Sequence, residues 1–301
     1  MVDITVFTPA YNRADLLPRL YESLKRQTSK NFMWIVVDDG STDNTKEIVQ
    51  KWIDETNEFE IKYIYKENGG LHTAYNTAIA VLETELSVCI DSDDYMPDYA
   101  IELITDFWKE NGSNEYAGIV APDSFENGEI IGDPLPDQKT VNLIDLLIGK
   151  YKINNGDRKN VIRSDLYKSV APMTVYDGEK NFNPHYMHLQ ISQKYDFLVL
   201  NKSLCVVEYQ PNGMTNNMLR QYYTSPNSFA QIRRLYLSFK DAPFKFKIKN
   251  SIHYVSSCLL SKQKGIIKNT PCKGYAIVAF PFGFMLSKYI KYKYKKVYLK
   301  K

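Results

Sequence analysis

The sequence predicts an α/β domain, with a mainly parallel sheet flanked by helices, that runs on into a basic helical tail. Three observations carry that expectation. Short apolar runs bounded by polar turns recur at residues 4–7, 32–37, 61–65, 86–90 and 116–121, the pattern of buried strands. Apolar residues at helical spacing stand between them, and such alternation with short connections calls for parallel strands joined by helical crossovers. The far end carries most of the positive charge: fifteen Lys and one acid from Lys240 onward give +14, so an overall +3 leaves −11 for residues 1–239.

Taken in order, the first strand ends in Thr8-Pro9-Ala10-Tyr11-Asn12, and Leu17, Leu20, Tyr21 and Leu24 mark the first helix, with Asp15 as its cap and Pro18 in its opening turn. The second strand ends in Asp38-Asp39-Gly40-Ser41. Thr42 or Asp43 caps a helix marked by Ile48, Val49, Trp52 and Ile53. After the third strand, Asn68-Gly69-Gly70-Leu71-His72 opens a helix with Ala74, Ala78, Ile79 and Leu82 on one face, and the fourth strand ends in Asp91-Ser92-Asp93-Asp94. Residues 122–149, punctuated by Gly and Pro, read as a long surface excursion. A strand at 159–164, a helix at 185–194 and a hairpin of 197–200 with 204–209 follow. The chain thus divides into a 1–220 domain, whose halves are 1–120 and 121–220, and a helical extension over 221–301.

Cys89, Cys205, Cys258 and Cys272 are far apart and form no CxxC pair. They read as buried small hydrophobes in a reducing compartment. The N-terminus lacks the basic and apolar regions of a secretory signal, which implies a cytoplasmic location.

In an open α/β sheet the ligand lies beyond the carboxyl ends of the strands, so the residues that follow each strand are the candidate site. Carboxylates gathered there repel one another and need a cation or hydrogen-bond donors. Asp91, Asp93 and Asp94 at one strand tip are candidates to hold Mg2+ or Mn2+ together with diphosphate oxygens. The turn of Asp38 and Asp39 offers acceptors to a nucleobase N–H, with the hydroxyl of Thr8 and the ring of Tyr11 beside it. Gly69 and Gly70 at a helix start favour a phosphate, with His72 as a direct contact. No GxGxxG follows the first strand, which excludes a nicotinamide dinucleotide fingerprint. Residues 156–159 read as a solvated polar turn, ahead of the alternative that they line the acceptor or diphosphate side of the site, and residues 210–215 as a mobile lid.

As a set, TPAYN, VVDDGSTDNT, NGGLHTAYN and CIDSDDYMPD resemble the family 2 glycosyltransferases of the GT-A fold, many of which make bacterial surface polysaccharides. The resemblance covers about residues 3–110. It implies an inverting transferase that moves a sugar, of hexosyl or N-acetylhexosaminyl type, from a nucleotide-sugar donor, a UDP-sugar, to a saccharide acceptor, with polyprenyl-diphosphate-linked acceptors among the candidates. On that resemblance Asp39, with Asp38, binds the base, and Asp91, Ser92 and Asp93 bind ribose and metal with Asp94 close by; Thr8, Pro9 and Tyr11 complete the nucleotide side. The family's loop often carries a basic residue where this chain has Leu71 or Tyr75. The family's acidic pair before the second-half helix is also absent. A GEK turn stands there, so Glu179, then Asp177, then His185 are the candidates for the base that deprotonates the acceptor. The alternative is a non-catalytic nucleotide-sugar-binding protein at a membrane.

The tail offers AIVAFPFGFML, broken by Pro281 and Gly283 and too short to span a bilayer, then SKYIKYKYKKVYLKK. A span needs about twenty apolar residues. Interleaved Lys and Tyr suit the anionic inner face of a cell membrane, with the protein peripheral to it, better than they suit nucleic acid.

Overall fold

The computed structural model describes residues 3–56, 58–154, 156–209 and 217–299. All five strands expected in the first 120 residues form: β1 (Ile4–Ala10), β2 (Phe32–Asp38), β3 (Glu60–Tyr65), β4 (Leu86–Cys89) and β5 (Tyr116–Pro122). They alternate with α1 (Leu17–Lys25), α2 (Thr45–Glu55), α3 (Leu71–Ala80) and α4 (Ala100–Asn111). Later come β6 (Thr140–Val141), α5 (Leu143–Leu147), β7 (Arg158–Arg163), α6 (Ser164–Val170), α7 (His185–Ile191) and β8 (Asp196–Val199). The eight strands make one sheet in the order β3-β2-β1-β4-β7-β5-β8-β6. From β3 to β4 every neighbour is parallel, whereas β7 runs antiparallel to both β4 and β5.

Strand alternation decides what each face covers. Ile4, Val6, Trp34 and Val36 pack in one core with Leu17 and Leu20 of α1, Trp52 of α2 and Ile104 of α4. Phe7 turns to the other face and meets Tyr75 of α3 and Tyr167 of α6, with ring centroids 5.2 and 6.3 Å away.

Several local expectations need correction. Asp15 does not cap α1, which begins after Leu16 with no side-chain cap. At α2 it is Asp43, not Thr42, that holds the helix start: Asp43 Oδ1 accepts from Thr45 N at 3.1 Å, and its Oδ2 accepts from Ala14 N at 3.0 Å. The 122–149 segment is no mere surface excursion, because Leu135, Val141, Leu143 and Leu146 are buried and β6 closes the sheet edge. Nor do 197–200 and 204–209 pair as a hairpin. β8 lies parallel to β5, and Val206 makes only isolated bridges to Tyr95 and Ser124. All four cysteines are free thiols; Cys205 and Cys258 are buried, while Cys89 and Cys272 are partly exposed.

The chain separates into two compact units, residues 1–173 with 187–210 and residues 174–186 with 211–301. The second contains α8 (Met218–Thr224), α9 (Pro226–Ser238), α10 (Phe244–Leu260) and α11 (Lys273–Tyr298). Its core joins Ala230 and Leu237 to Tyr254, Val255, Cys258 and Ala276. Pro281 and Gly283, which interrupt the apolar run, do not interrupt the helix, and α11 is one helix of 26 residues. Gly283 packs on α10, where an added Cβ would lie 2.6 Å from Val255 Cβ, so its missing side chain permits the close approach. Pro281 removes one helical N–H without ending the helix. Among the described residues no helix is long and apolar enough to cross a membrane.

Candidate active site

Because β1, β2, β3 and β4 are parallel, their carboxyl ends share one sheet edge. The double reversal through β7 brings the end of β5 and the start of β7 to the same edge. Residues 8–12, 38–41 and 91–94, which the sequence singled out, therefore meet there. Asp123, which it did not, joins them, as does Lys159 of the 156–159 turn.

The tips of β1, β2 and β3 are clasped by side chains. Asn12, at φ +52°, accepts from Thr42 N at 2.8 Å, and its own N–H donates to Ser41 Oγ at 2.9 Å. Asp38 is buried, and its two oxygens accept from Ser41 N at 2.7 Å and Tyr63 Oη at 2.6 Å. Asp39 is buried too. Its Oδ1 accepts from Lys66 Nζ at 2.5 Å and Gly69 N at 2.9 Å, and its Oδ2 from Gly70 N at 2.7 Å. The backbone donors expected to cradle a phosphate at the start of α3 thus face a carboxylate of the protein itself, an internal anion in the place where helix N-termini bind external ones. Gly70 at φ +94° and Gly40 at φ +79° make this geometry possible; a Cβ on Gly40 would lie 2.7 Å from Asn68 N.

Three further nucleotide-side candidates are supports rather than surfaces. Thr8 shares the face of Ile4 and Val6, so its hydroxyl points into the core and accepts from Trp34 Nε1 at 3.0 Å. Pro9 is buried beside it. His72 has no solvent exposure, which corrects its expected role as a direct phosphate contact. Tyr11 does stand open, 48% exposed.

At the tip of β4 the three aspartates separate. Asp91 is exposed, Asp93 is half-buried and Asp94 is buried, as is Ser92. Burial first, and then the charge of Asp91, hold the Asp93 carboxyl above its ordinary range, a repulsion that a cation held at this tip would relieve. Asp94 serves inward. Its Oδ2 lies 3.7 Å from Lys159 Nζ, which is also 3.8 Å from Asp123 Oδ2, and all three residues are buried. Burial pushes Asp94 and Asp123 up to about 7 against the pull of Lys159, while their charges keep Lys159 protonated despite its own burial. The turn at 156–159, expected to be solvated, instead begins β7 and supplies the cation of this cluster. Asp123 was legible in principle, since it directly follows β5 as the other clusters follow their strands.

No three His, Cys, Asp or Glu side chains converge into a complete metal cage among the described residues. The donor set nevertheless fits a hard divalent ion: two accessible carboxylates, with other positions left to diphosphate oxygens and water, is the arrangement Mg2+ and its relatives use.

In the second unit, Glu179 is not placed to act as a base. It is 5% exposed, and its carboxylate accepts four hydrogen bonds at the start of α9. Oε1 takes Asn227 N at 2.7 Å and Asn227 Nδ2 at 2.9 Å; Oε2 takes Ser228 N at 2.8 Å and Ser228 Oγ at 2.7 Å. The GEK turn is a capping device for α9. Asp177, two residues earlier, is exposed. His185 begins α7 half-buried, its N–H donating to Asn183 Oδ1 at 2.9 Å. The lid expected at 210–215 lies outside the described residues.

Among solved structures, the chain matches Staphylococcus aureus TarS 1–349 in complex with UDP-GlcNAc at a TM-score of 0.58 and 17% identity, over 98% of this chain and 92% of that one. It matches the mannosyltransferase PcManGT from Pyrobaculum calidifontis, in complex with GDP-Man and Mn2+, at 0.57 and 17%, over 99% and 88%. Both likenesses are of fold, the GT-A arrangement that the sequence predicted. In sequence it is 24% identical to the poly(ribitol-phosphate) beta-N-acetylglucosaminyltransferase TarP of Staphylococcus aureus (strain N315), over 91% of this chain and 84% of that protein. The chain spans only 11–33% of the length of the first curated relatives it matches. The family described as Glycosyl transferase family 2 matches residues 5–165, more than half of the chain, and with the strand-end carboxylates gathered on one sheet edge, the chain belongs to that family.

Proposed function

We propose that this protein is an inverting glycosyltransferase that moves a hexosyl or N-acetylhexosaminyl group from a UDP-sugar to a saccharide acceptor in the synthesis of capsule or another cell-surface polysaccharide. The observation that carries the reading is the Asp91 and Asp93 pair, open at the tip of β4 on the edge where the β1 and β2 ends also lie. The 1–220 segment is the catalytic part in this reading, and 221–301 an extension of it. UDP-GlcNAc in TarS and the acetylglucosaminyl transfer named for TarP favour a UDP-linked donor. The acceptor is carried on a lipid diphosphate at the inner face of the membrane.

The exposed ring of Tyr11 and the turn held by Asp38 and Asp39 line the base. Asp91 and Asp93 are the residues that would hold Mn2+ or Mg2+, which would supply positive charge against a leaving diphosphate. Asp94, Asp123 and Lys159 keep the turn that presents them from shifting. In the displacement the acceptor oxygen forms a bond to the anomeric carbon, the bond from that carbon to the diphosphate oxygen breaks, and the acceptor proton passes to a carboxylate of the chain. With Glu179 committed to α9, Asp177 is the next of the sequence's candidates for that role and His185 the third. The alternative, a nucleotide-sugar-binding protein without catalysis, draws its support from the same engagement of Glu179.

The test is transfer from a panel of UDP-sugars with Mn2+ and with EDTA. Asp93→Ala is expected to lower kcat/KM by about 100-fold or more, consistent with losing several kcal/mol of charge stabilisation. Equal turnover by that variant, or turnover unchanged by EDTA, removes the metal reading. Donor binding without transfer to any acceptor supports the non-catalytic alternative.

A further inference from the structure

Helix α11 has two opposed faces. One face carries Ala276, Ala279, Gly283, Ser287 and Ile290, all buried, with Gly283 against α10. These recur every three or four residues, the spacing of one helical stripe. On the opposite side the same spacing selects Val278, Phe282, Met285, Tyr289 and Tyr292, each more than half exposed. A row of large apolar side chains left in water on one helix face marks a docking surface. We propose that this face lies in the interface of an anionic bilayer, with the helix in the membrane plane.

Charge identifies the occupant. Between Lys273 and Lys288 the helix carries no charged residue, and beyond it come Lys288, Lys291, Lys293, Lys295 and Lys296. The apolar half suits the acyl boundary. The Lys and Tyr half suits phosphate headgroups, where ammonium groups and phenol rings both settle. One apolar insertion plus one polybasic patch supplies the two signals that peripheral anchoring needs. A second copy of the chain is a poor occupant for the same reason, since no acid occurs from 242 to 301 and self-association would set lysines against lysines. Single-stranded nucleic acid would find Val278 and Met285 useless for stacking. The inference rests on the proposed reading in naming the membrane as the place of the acceptor, and it adds the surface and its chemistry.

The experiment uses the full chain with vesicles of phosphatidylcholine alone and of phosphatidylcholine with phosphatidylglycerol, scored by co-sedimentation, alongside UDP binding by calorimetry in the same buffer. The protein is expected to bind the anionic vesicles at least tenfold better than the neutral ones. Phe282→Ser with Met285→Ser, and separately Lys288→Gln with Lys291→Gln, Lys295→Gln and Lys296→Gln, should each lower that binding about tenfold while UDP affinity stays unchanged. Equal binding to both vesicle types, or binding indifferent to both variants, overturns the proposal. So does a dimer in light scattering that Phe282→Ser with Met285→Ser dissolves. Failed UDP binding with intact vesicle binding would strike the glycosyltransferase reading alone.

Discussion

Two acidic motifs, at the tip of β4 in the first unit and in the turn before α7 in the second, look alike as sequence and are used in opposite ways. At the first, Asp91 keeps an exposed and Asp93 a half-buried carboxylate while their neighbour Asp94 turns inward to Lys159. At the second, Glu179 is buried under four donors from the start of α9 while its neighbour Asp177 stays exposed. Each motif splits its acids between support and surface. What separates the roles is the number of protein donors each carboxylate already satisfies, and the residue type does not reveal it.

The strongest way to break the comparison is to remove the cation on which Asp94 and Asp123 depend. Lys159→Met should destabilise the first unit by about 3–5 kcal/mol, the cost of leaving a buried charge without its partner, read as a lower urea midpoint. An unchanged midpoint would mean that the cluster does not hold the β4 tip. A smaller effect is expected at the second motif. Glu179→Gln loses the charge that strengthens four hydrogen bonds and should cost about 2 kcal/mol, read as a lower melting temperature. Asp177→Asn should leave stability intact while lowering transfer by about 100-fold. If instead Glu179→Gln stayed stable and abolished transfer, the two acids would have to exchange roles.

A third test extends the comparison from acids to a base. In the second unit, burial first, then the charges of Arg233 and Lys249, lower the His253 pKa to about 4, against about 6.5 in an unfolded chain. Between those values the unfolded chain binds the extra proton, so stability rises with pH. The contribution of His253 is complete above about 6.5 and lost as pH falls toward 4. Because Asp94 and Asp123 titrate through the same window with the opposite sign, the His253 contribution is read as the difference in melting temperature between wild type and His253→Gln, which should shift in favour of the variant as pH falls from about 6.5 toward 4.

Much of the first unit was legible. Five strands, three helices and the acidic strand ends could be placed because apolar periodicity and turn chemistry act within a few residues. The candidate site was legible only as a set of positions. That Thr8 turns to Trp34, that Asp39 fills the glycine loop before α3 and that His72 is enclosed all depend on partners 26 to 31 residues away or on the packing of a whole layer. Lys159 could be read only as part of a polar turn, because its pairing with Asp94 and Asp123 exists once β7 is inserted between β4 and β5.

In the tail, composition alone concentrated the lysines after residue 240 and set an uncharged stretch before the last of them. Whether Pro281 and Gly283 break that segment was a tertiary decision, settled by α10, against which a glycine allows contact that a side chain would block. The sequence by itself determined the alternation of strands and helices, the family and the uneven charge, since these are properties of neighbouring residues. Only the tertiary structure decided which carboxylates remain available to a ligand, because a hydrogen bond or ion pair exists only once distant segments share one place, and each one formed inside the protein is one fewer offered to a substrate.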